Sequence, residues 1–185
     1  HQADLVGISL SSKVGKACYI PIGHKSSKCI NKNDVIKKLK KLLEDPSIKK
    51  IGQNIKFDFI VFYKHGIILS SIEDTMLMSY VLDAGKNRHN MDTLSEIHLG
   101  HKTISFKEMV GTGKKEINFS EVELDKAKDY AAEDADVTFR LYKKFIKNLK
   151  LEKMINIYEI FEKPLIKILA FMEIEGVEID SDFLK

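Results

Sequence analysis

Ile48-Lys49-Lys50-Ile51-Gly52-Gln53-Asn54-Ile55-Lys56-Phe57-Asp58 is the stretch that decides the fold class. Residues 48–53 read as a short buried strand. Asn54 or Lys56 then opens a helix to about His65, where Gly66 supplies a C-cap. Working outward, residues 4–10 and 17–22 are β-branched-rich runs separated by Ser11-Ser12-Lys13-Val14-Gly15-Lys16, the pattern of a hairpin. Asn33-Asp34 caps a helix through Glu44 with Val35, Ile36, Leu39, Leu42 and Leu43 on its apolar face, and Pro46 ends it. Downstream, helices are expected over residues 74–82, over 91–99 up to Gly100, from Val122 to about Leu149, and over 151–175 up to Gly176, with Pro164 interrupting the last. Residues 177–180 begin something extended. Between Lys102 and Ser120 the signal weakens. Gly111-Thr112-Gly113-Lys114-Lys115 reads there as a flexible loop, since no strand–helix junction flanks it as a phosphate loop would need. Strands first, helices after, and one strand–helix–strand return make this an α/β chain with a mixed sheet. A domain boundary is placed near Lys150, dividing residues 1–150 from 151–185.

The composition fits this class. The 185 residues are 44% hydrophobic and 31% charged, the balance of a globular domain with a sizeable core. No apolar run approaches the roughly 18 residues that span a bilayer, and no secretory signal is seen. The chain starts at His1 rather than Met, which suggests a processed, tagged or excised fragment. Cys18 and Cys29 are too few for a disulfide framework and lack metal-ligand spacing, so two reduced thiols in a cytoplasmic protein are expected. The net charge of +3 says little about nucleic acid by itself, since Arg88 and Arg140 are the only arginines. Lys37, Lys38, Lys40 and Lys41 read as the solvated face of their helix. His98 and His101 are separated by Gly100 and make a poor zinc pair.

Chemistry concentrates in Tyr130-Ala131-Ala132-Glu133-Asp134-Ala135-Asp136-Val137-Thr138. Three carboxylates and a phenol sit there among small and apolar residues, on what reads as a helix. Tyr130 and Asp134, four apart, share one face. Acids kept beside a packing face bear a desolvation cost unless a cation compensates it. Asp58 offers a second acid far upstream. Hydrolysis of a phosphodiester with two divalent metals asks for about four carboxylates in one pocket. Asp58 and Asp134 supply two of them. Tyr130, with an ordinary pKa near 10, suits orienting water or phosphate better than abstracting a proton. The bland alternative leaves Asp58 as a helix cap and pairs Asp134 and Asp136 with Arg140 or lysines.

Taken together, the two motifs carry a resemblance. Gly52-Gln53-Asn54-Ile55-Lys56-Phe57-Asp58 looks like the second motif, and Tyr130-Ala131-Ala132-Glu133-Asp134 like the third, of the DEDDy exonuclease group. Within that group the chain resembles the 3′–5′ proofreading exonuclease domain of bacterial DNA polymerase I. Leu5-Val6-Gly7-Ile8-Ser9, Asp74-Thr75-Met76-Leu77, Arg88-His89-Asn90-Met91-Asp92-Thr93-Leu94 and His101-Lys102-Thr103-Ile104-Ser105-Phe106 extend the likeness over almost the whole chain. The tail, from Glu162-Lys163-Pro164-Leu165 to Gly176-Val177-Glu178-Ile179-Asp180, looks like the first helix of the polymerase region.

The resemblance implies a ribonuclease H-like three-layer α/β/α fold with a mixed central sheet. It implies Asp58 and Asp134 as metal ligands, with Tyr130 positioning the nucleophilic water. Gln53, Asn54, Lys56, Phe57, Arg88 and Phe106 match positions near a single-stranded DNA 3′ end. Phe106 would stack on a base, and Lys56 and Arg88 would neutralise phosphates. The cofactors implied are two divalent metals, Mg²⁺ or Mn²⁺, with Zn²⁺ an alternative. The partners implied are the DNA 3′ end and the polymerase domain of the same chain, in a monomeric, cytoplasmic bacterial protein with no membrane contact.

One departure stands out. The family's first motif, Asp-x-Glu on the first strand, should precede Leu5 and is absent; Asp4 has no acid two positions on. The missing strand belongs at the sheet's centre, and its neighbours are expected to show unpaired edges. This chain alone is therefore expected to bind metal weakly and to show little or no nuclease activity. Two further readings stay open: a silenced exonuclease fold kept as a polymerase scaffold, and a ribonuclease D-like exoribonuclease.

Overall fold

The structure, a computed structural model, describes residues 4–25, 29–113, 116–180 and 183. Strand β1 (Gly7–Lys13) pairs antiparallel with β2 (Lys16–Pro21), with Ile8 opposite Ile20 and Leu10 opposite Cys18. The hairpin is tighter than its sequence suggests. Pairing runs on through Ser11 to Lys13, leaving a two-residue turn in which Gly15 adopts φ +74. A register shift between Ser11 and Lys13 absorbs the extra residue.

Helix α1 (Lys32–Glu44) follows. Its cap is Asn31, whose side chain accepts N–H bonds from Asn33 and Asp34, so the cap lies two residues before the Asn33-Asp34 pair singled out in the sequence. Val35 and Leu43 are buried on its inner face, while Lys37, Lys38, Lys40 and Lys41 are exposed. β3 (Lys50–Gly52) then leads into α2 (Ile55–Lys64), and β4 (Ile72–Asp74) returns parallel to β3, with Gly52 opposite Asp74. Only glycine fits at position 52, because a Cβ there would lie 2.9 Å from the Ile55 side chain. β4 had no sequence signal. Three residues are too few to show a period.

The remaining elements are helical: α3 (Thr75–Asp83), α4 (Met91–Leu99), the short α5 (Phe106–Val110) and the 28-residue α6 (Leu124–Leu151). Gly100 ends α4 at φ +63. The Gly111–Lys115 loop expectation falls partly on Lys114 and Lys115, which lie outside the described residues. Beyond α6, Lys153 at φ 59 turns the chain. It then runs through α7 (Ile155–Ile157), a π-helical turn at Tyr158–Glu162, and α8 (Lys163–Glu175). Pro164 sits in the first turn of α8, where its missing N–H costs nothing.

Helices cover both faces of the strands. Ile8, Leu10, Ile20 and Ile22 cluster with Val35 and Leu39 of α1 and Phe62 of α2. The alternation of the strand leaves Gly7, Ser9 and Ser11, all small, for the face that α6 crosses. α2 is also packed against α8 through Phe59, Ile60, Ile166 and Ala170. Met78, Leu94, Val137, Leu141, Phe145 and Tyr158 unite α3, α4, α6 and the π turn.

The sheet is split. Among the described residues β1 pairs only with β2, and β3 only with β4. Both open onto one cleft of about 1080 Å³, lined by Gly7–Ser12 on one side and Lys49–Gln53 on the other. α2 contributes Ile55, Val61 and Phe62, and α6 contributes Ala135, Thr138, Phe139 and Tyr142. Two strand edges walled by two helical layers have the shape of a strand site, where the sequence predicted one strand to be wanting.

Candidate functional site

Asp58 and Asp134 line that same cleft. Asp58 comes from the first turn of α2, and Asp134 from the middle of α6, 76 positions later in the chain by numbering. Neither sits in comfort. Burial first, then the charge of Asp74, pushes the Asp58 carboxyl from its ordinary 3.8 up to about 7. Burial raises Asp134 to about 7 as well, with the charges of Glu133 and Asp92 adding to the effect against a lowering contact with Tyr130. Oδ1 of Asp134 is buried with no hydrogen-bond partner among the described residues. Two carboxylates under such pressure, one with an orphaned oxygen, fit a hard cation. Among the described residues, no group of three or more His, Cys, Asp or Glu is placed to hold a metal.

Tyr130 lies one turn before Asp134. Burial, reinforced by the Asp134 carboxylate, raises its pKa well above the ordinary phenol range. It stays protonated at any working pH and acts as a hydrogen-bond donor. Its ring belongs to a small aromatic cluster. Phe106 stacks on Phe119 with centroids 6.0 Å apart and planes at 25°, and both rings approach Tyr130, at 6.1 and 5.8 Å. Phe106 is 50% exposed, an aromatic face offered to solvent rather than a core contact.

The other acids of the Tyr130–Thr138 stretch have structural work. Glu133 accepts from His101 Nε2 at 2.8 Å and from the Ile104 N–H at 2.7 Å. Together with the Thr103 hydroxyl, which donates to Asp92 at 2.6 Å, it fastens the segment leading to Phe106 onto the helices. Asp136 accepts the Gly15 N–H at 2.6 Å, pinning the β1–β2 turn, and lies 3.9 Å from Arg140. The pairing with Arg140 therefore belongs to Asp136, while Asp134 faces the cleft.

The remaining candidates scatter. Gln53 lines the cleft, but its amide is committed at both ends: Nε2 donates to the His89 carbonyl at 2.7 Å, and Oε1 accepts from the Thr75 hydroxyl at 2.5 Å. It thereby ties the loop carrying Arg88 to the end of β3. Asn54 is exposed, in the left-handed region at φ 57. Lys56 pairs with Glu173 of α8. Phe57 is 43% exposed, and Arg88 projects from the surface loop after α3. Asn54, Lys56, Phe57 and Arg88 do not line the cleft. Sequence reasoning missed Phe119, although the Asn118-x-x-Glu121 capping box beside it was a readable signal. It also missed that Asp74, noted as part of a motif, is enclosed beside Asp58.

Layers, split mixed sheet and acidic cleft define a ribonuclease H-like α/β/α fold. A sequence model of the 3′–5′ exonuclease family matches residues 1–150. The chain belongs to that family. It is 41% identical to DNA polymerase I of Rhizobium leguminosarum over 204 aligned residues, covering 99% of this chain and 20% of that protein. It is 38% identical to DNA polymerase I of Pseudomonas aeruginosa, covering 100% of this chain and 21% of that protein. The chain thus spans about a fifth of the curated relatives it matches. Among solved structures, Brucella melitensis NrnC superposes with a TM-score of 0.69 at 22% identity, over 95% of this chain and 80% of that one. A form of NrnC with bound Mg²⁺ gives a TM-score of 0.67 at 22% identity, over the same shares of the two chains. Pol1 of M. smegmatis, in complex with DNA primer-template and dNTP, gives 0.68 at 19% identity over 90% of this chain and 25% of that one. No helix among the described residues is long and apolar enough to cross a membrane.

Proposed function

We propose that this chain is the proofreading exonuclease region of a bacterial, cytoplasmic, monomeric DNA polymerase I, and that it removes nucleotides from a single-stranded or frayed DNA 3′ end. The observation that carries the reading is the convergence of Asp58 and Asp134, both with raised pKa, on one cleft between two open strand edges. Asp58 and Asp134 would hold divalent metal, Mg²⁺ or Mn²⁺, together with two acids from an upstream Asp-x-Glu strand seated between β1 and β3. Bound metal supplies a nucleophile at neutral pH and stabilises the leaving oxygen.

The chain's own residues do the rest. Tyr130, held protonated, donates a hydrogen bond that orients the attacking water or the phosphate oxygen. Phe106 stacks on a base without reading its identity. Arg88 steadies the phosphate backbone from the loop that Gln53 fixes. Lys56, Phe57 and Asn54 lie at the same end of α2, and the pairing of Lys56 with Glu173 gives it a share in holding α8 as well. Residues 151–185 are read as the start of the polymerase region, with α8 packed against α2 through Ile166 and Ala170.

In the full-length protein, Asp134→Ala should abolish Mg²⁺- or Mn²⁺-dependent degradation of single-stranded DNA while polymerisation survives. Unchanged nuclease activity in that variant would sink the assignment. A second reading is a silent exonuclease fold kept as a polymerase scaffold, which fits a chain in which, among the described residues, no group of three or more His, Cys, Asp or Glu is placed to hold a metal. Reading some thirty codons upstream decides between the two, because only the active enzyme needs Asp-x-Glu there.

A further inference from the structure

Asp74 closes β4 and is 1% exposed, with no lysine or arginine among its hydrogen-bond partners. Its carboxylate is instead filled by four backbone N–H groups from two helices. Oδ1 accepts from Met76 at 2.9 Å and Leu77 at 3.4 Å, which makes Asp74 the N-cap of α3. The same oxygen accepts from Asn54 at 3.1 Å, and Oδ2 accepts from Ile55 at 3.0 Å.

Those last two bonds reach across the sheet to the start of α2. The nominal cap there, Asn54, makes no capping bond with its own side chain and sits at φ 57. The capping function is therefore supplied from the neighbouring strand. Two helix N-termini aim their positive ends at one carboxylate and offset part of the cost of burying it without a cation, although burial still raises its pKa. The backbone of Asp74 is anchored in turn, since its N–H donates to the Tyr158 hydroxyl at 2.9 Å. Asp58 lies in the first turn of α2 and lines the cleft, whereas Asp74 does not.

We propose that Asp74 is a positioning residue: by capping α2 and α3 together it fixes the direction in which Asp58 leaves α2, without touching metal or DNA. The inference rests on the reading of Asp58 as a metal ligand given above. A cap serving α3 alone would need only one oxygen. A serine can replace that function but cannot supply the second oxygen to Ile55.

The test uses full-length protein and three variants, Asp74→Ser, Asp74→Asn and Asp58→Ala. Asp74→Ser and Asp74→Asn should lower kcat for single-stranded DNA degradation about 10–100-fold and raise the Mn²⁺ concentration for half-maximal activity about tenfold. The KM for DNA and the polymerisation rate should stay unchanged. In Asp74→Ser, hydrogen exchange should show lost protection at Ile55, which depends on the second oxygen, and retained protection at Met76 and Leu77. Wild-type nuclease and metal requirement in both Asp74 variants, with Asp58→Ala inactive, overturns the positioning role alone. Loss of polymerisation together with nuclease in both Asp74 variants marks a general fold residue and overturns it too. Full nuclease activity in Asp58→Ala instead removes the reading on which the proposal stands.

Discussion

Asp58 and Asp134 hold protons more tightly in the folded chain than in the unfolded one, because burial disfavours their charged forms. The sign of the consequence follows from linkage. Each site's contribution to stability is full below the unfolded value near 3.8 and is lost as pH rises through about 7. The Tm of the metal-free chain should therefore fall between pH 5 and pH 8. Asp58→Asn and Asp134→Asn should each flatten that slope and raise Tm at pH 8 by several degrees, given about 2–4 °C per kcal/mol in a domain of this size. Thermal unfolding followed by circular dichroism across this range checks it; a slope unchanged in both variants refutes the electrostatic account. The aromatic pair makes a separate prediction. Phe106→Ala in the full-length protein should weaken single-stranded DNA binding by about 1–3 kcal/mol, the scale of one lost base stack, whatever the base. Phe119→Leu, which removes the ring behind Phe106, should show a smaller loss in the same filter-binding or anisotropy titration.

Tyr158 shows what holds the elements to one another. Its hydroxyl donates to Glu73 Oε2 at 3.0 Å and accepts the Asp74 N–H at 2.9 Å, and Glu73 also receives Lys49 at 3.2 Å and Lys163 at 2.9 Å. Glu73 is 1% exposed, so the network is an enclosed one joining β4 to the segment after α6. Tyr158→Phe leaves the ring in place but strands a buried carboxylate oxygen and a backbone N–H. It should cost about 1–3 kcal/mol, read as a lower urea midpoint with unchanged m-value. An unchanged midpoint would show that water replaces the hydroxyl.

Elements also show how far the sequence could be read. The 28-residue helix α6 was legible within about two residues, because many side chains vote on one period, and the nine-residue α4 was legible from the Gly100 stop that ends it. β4 was illegible, since a fully buried strand of three residues carries no alternation. The start of α1 was misplaced because Asn31, Asn33 and Asp34 are all good caps, and tertiary packing selects among them. At the candidate site, Asp58, Tyr130 and Asp134 stand out by residue type and spacing, and the structure places Asp58 and Asp134 on one cleft. The commitment of Gln53 to Thr75 and His89, and of Lys56 to Glu173, depends on partners 22 to 117 positions away that no local pattern announces.

For the whole molecule, the split sheet is the governing fact. Between β1 and β3 lies room for a strand, walled by α2 and α6, with Asp58 and Asp134 facing in. On the proposed function, a longer form of the protein that carries an upstream Asp-x-Glu should bind Mn²⁺ at least tenfold more tightly than this 185-residue chain, as two further carboxylates would complete the ligand set. Isothermal titration of the two forms makes the comparison. Equal affinity would mean that the acids present already suffice.

The two faces of β1 bear on how the chain survives its own synthesis. Ile8 and Leu10 are covered by α1 and α2, which leave the ribosome soon after the strand itself. The opposite face must wait for α6, more than a hundred residues later, and during that wait it presents glycine and serine to water. The apolar side of the strand is thus sheltered early, and the side left bare longest is the one least prone to stick to a neighbouring nascent chain.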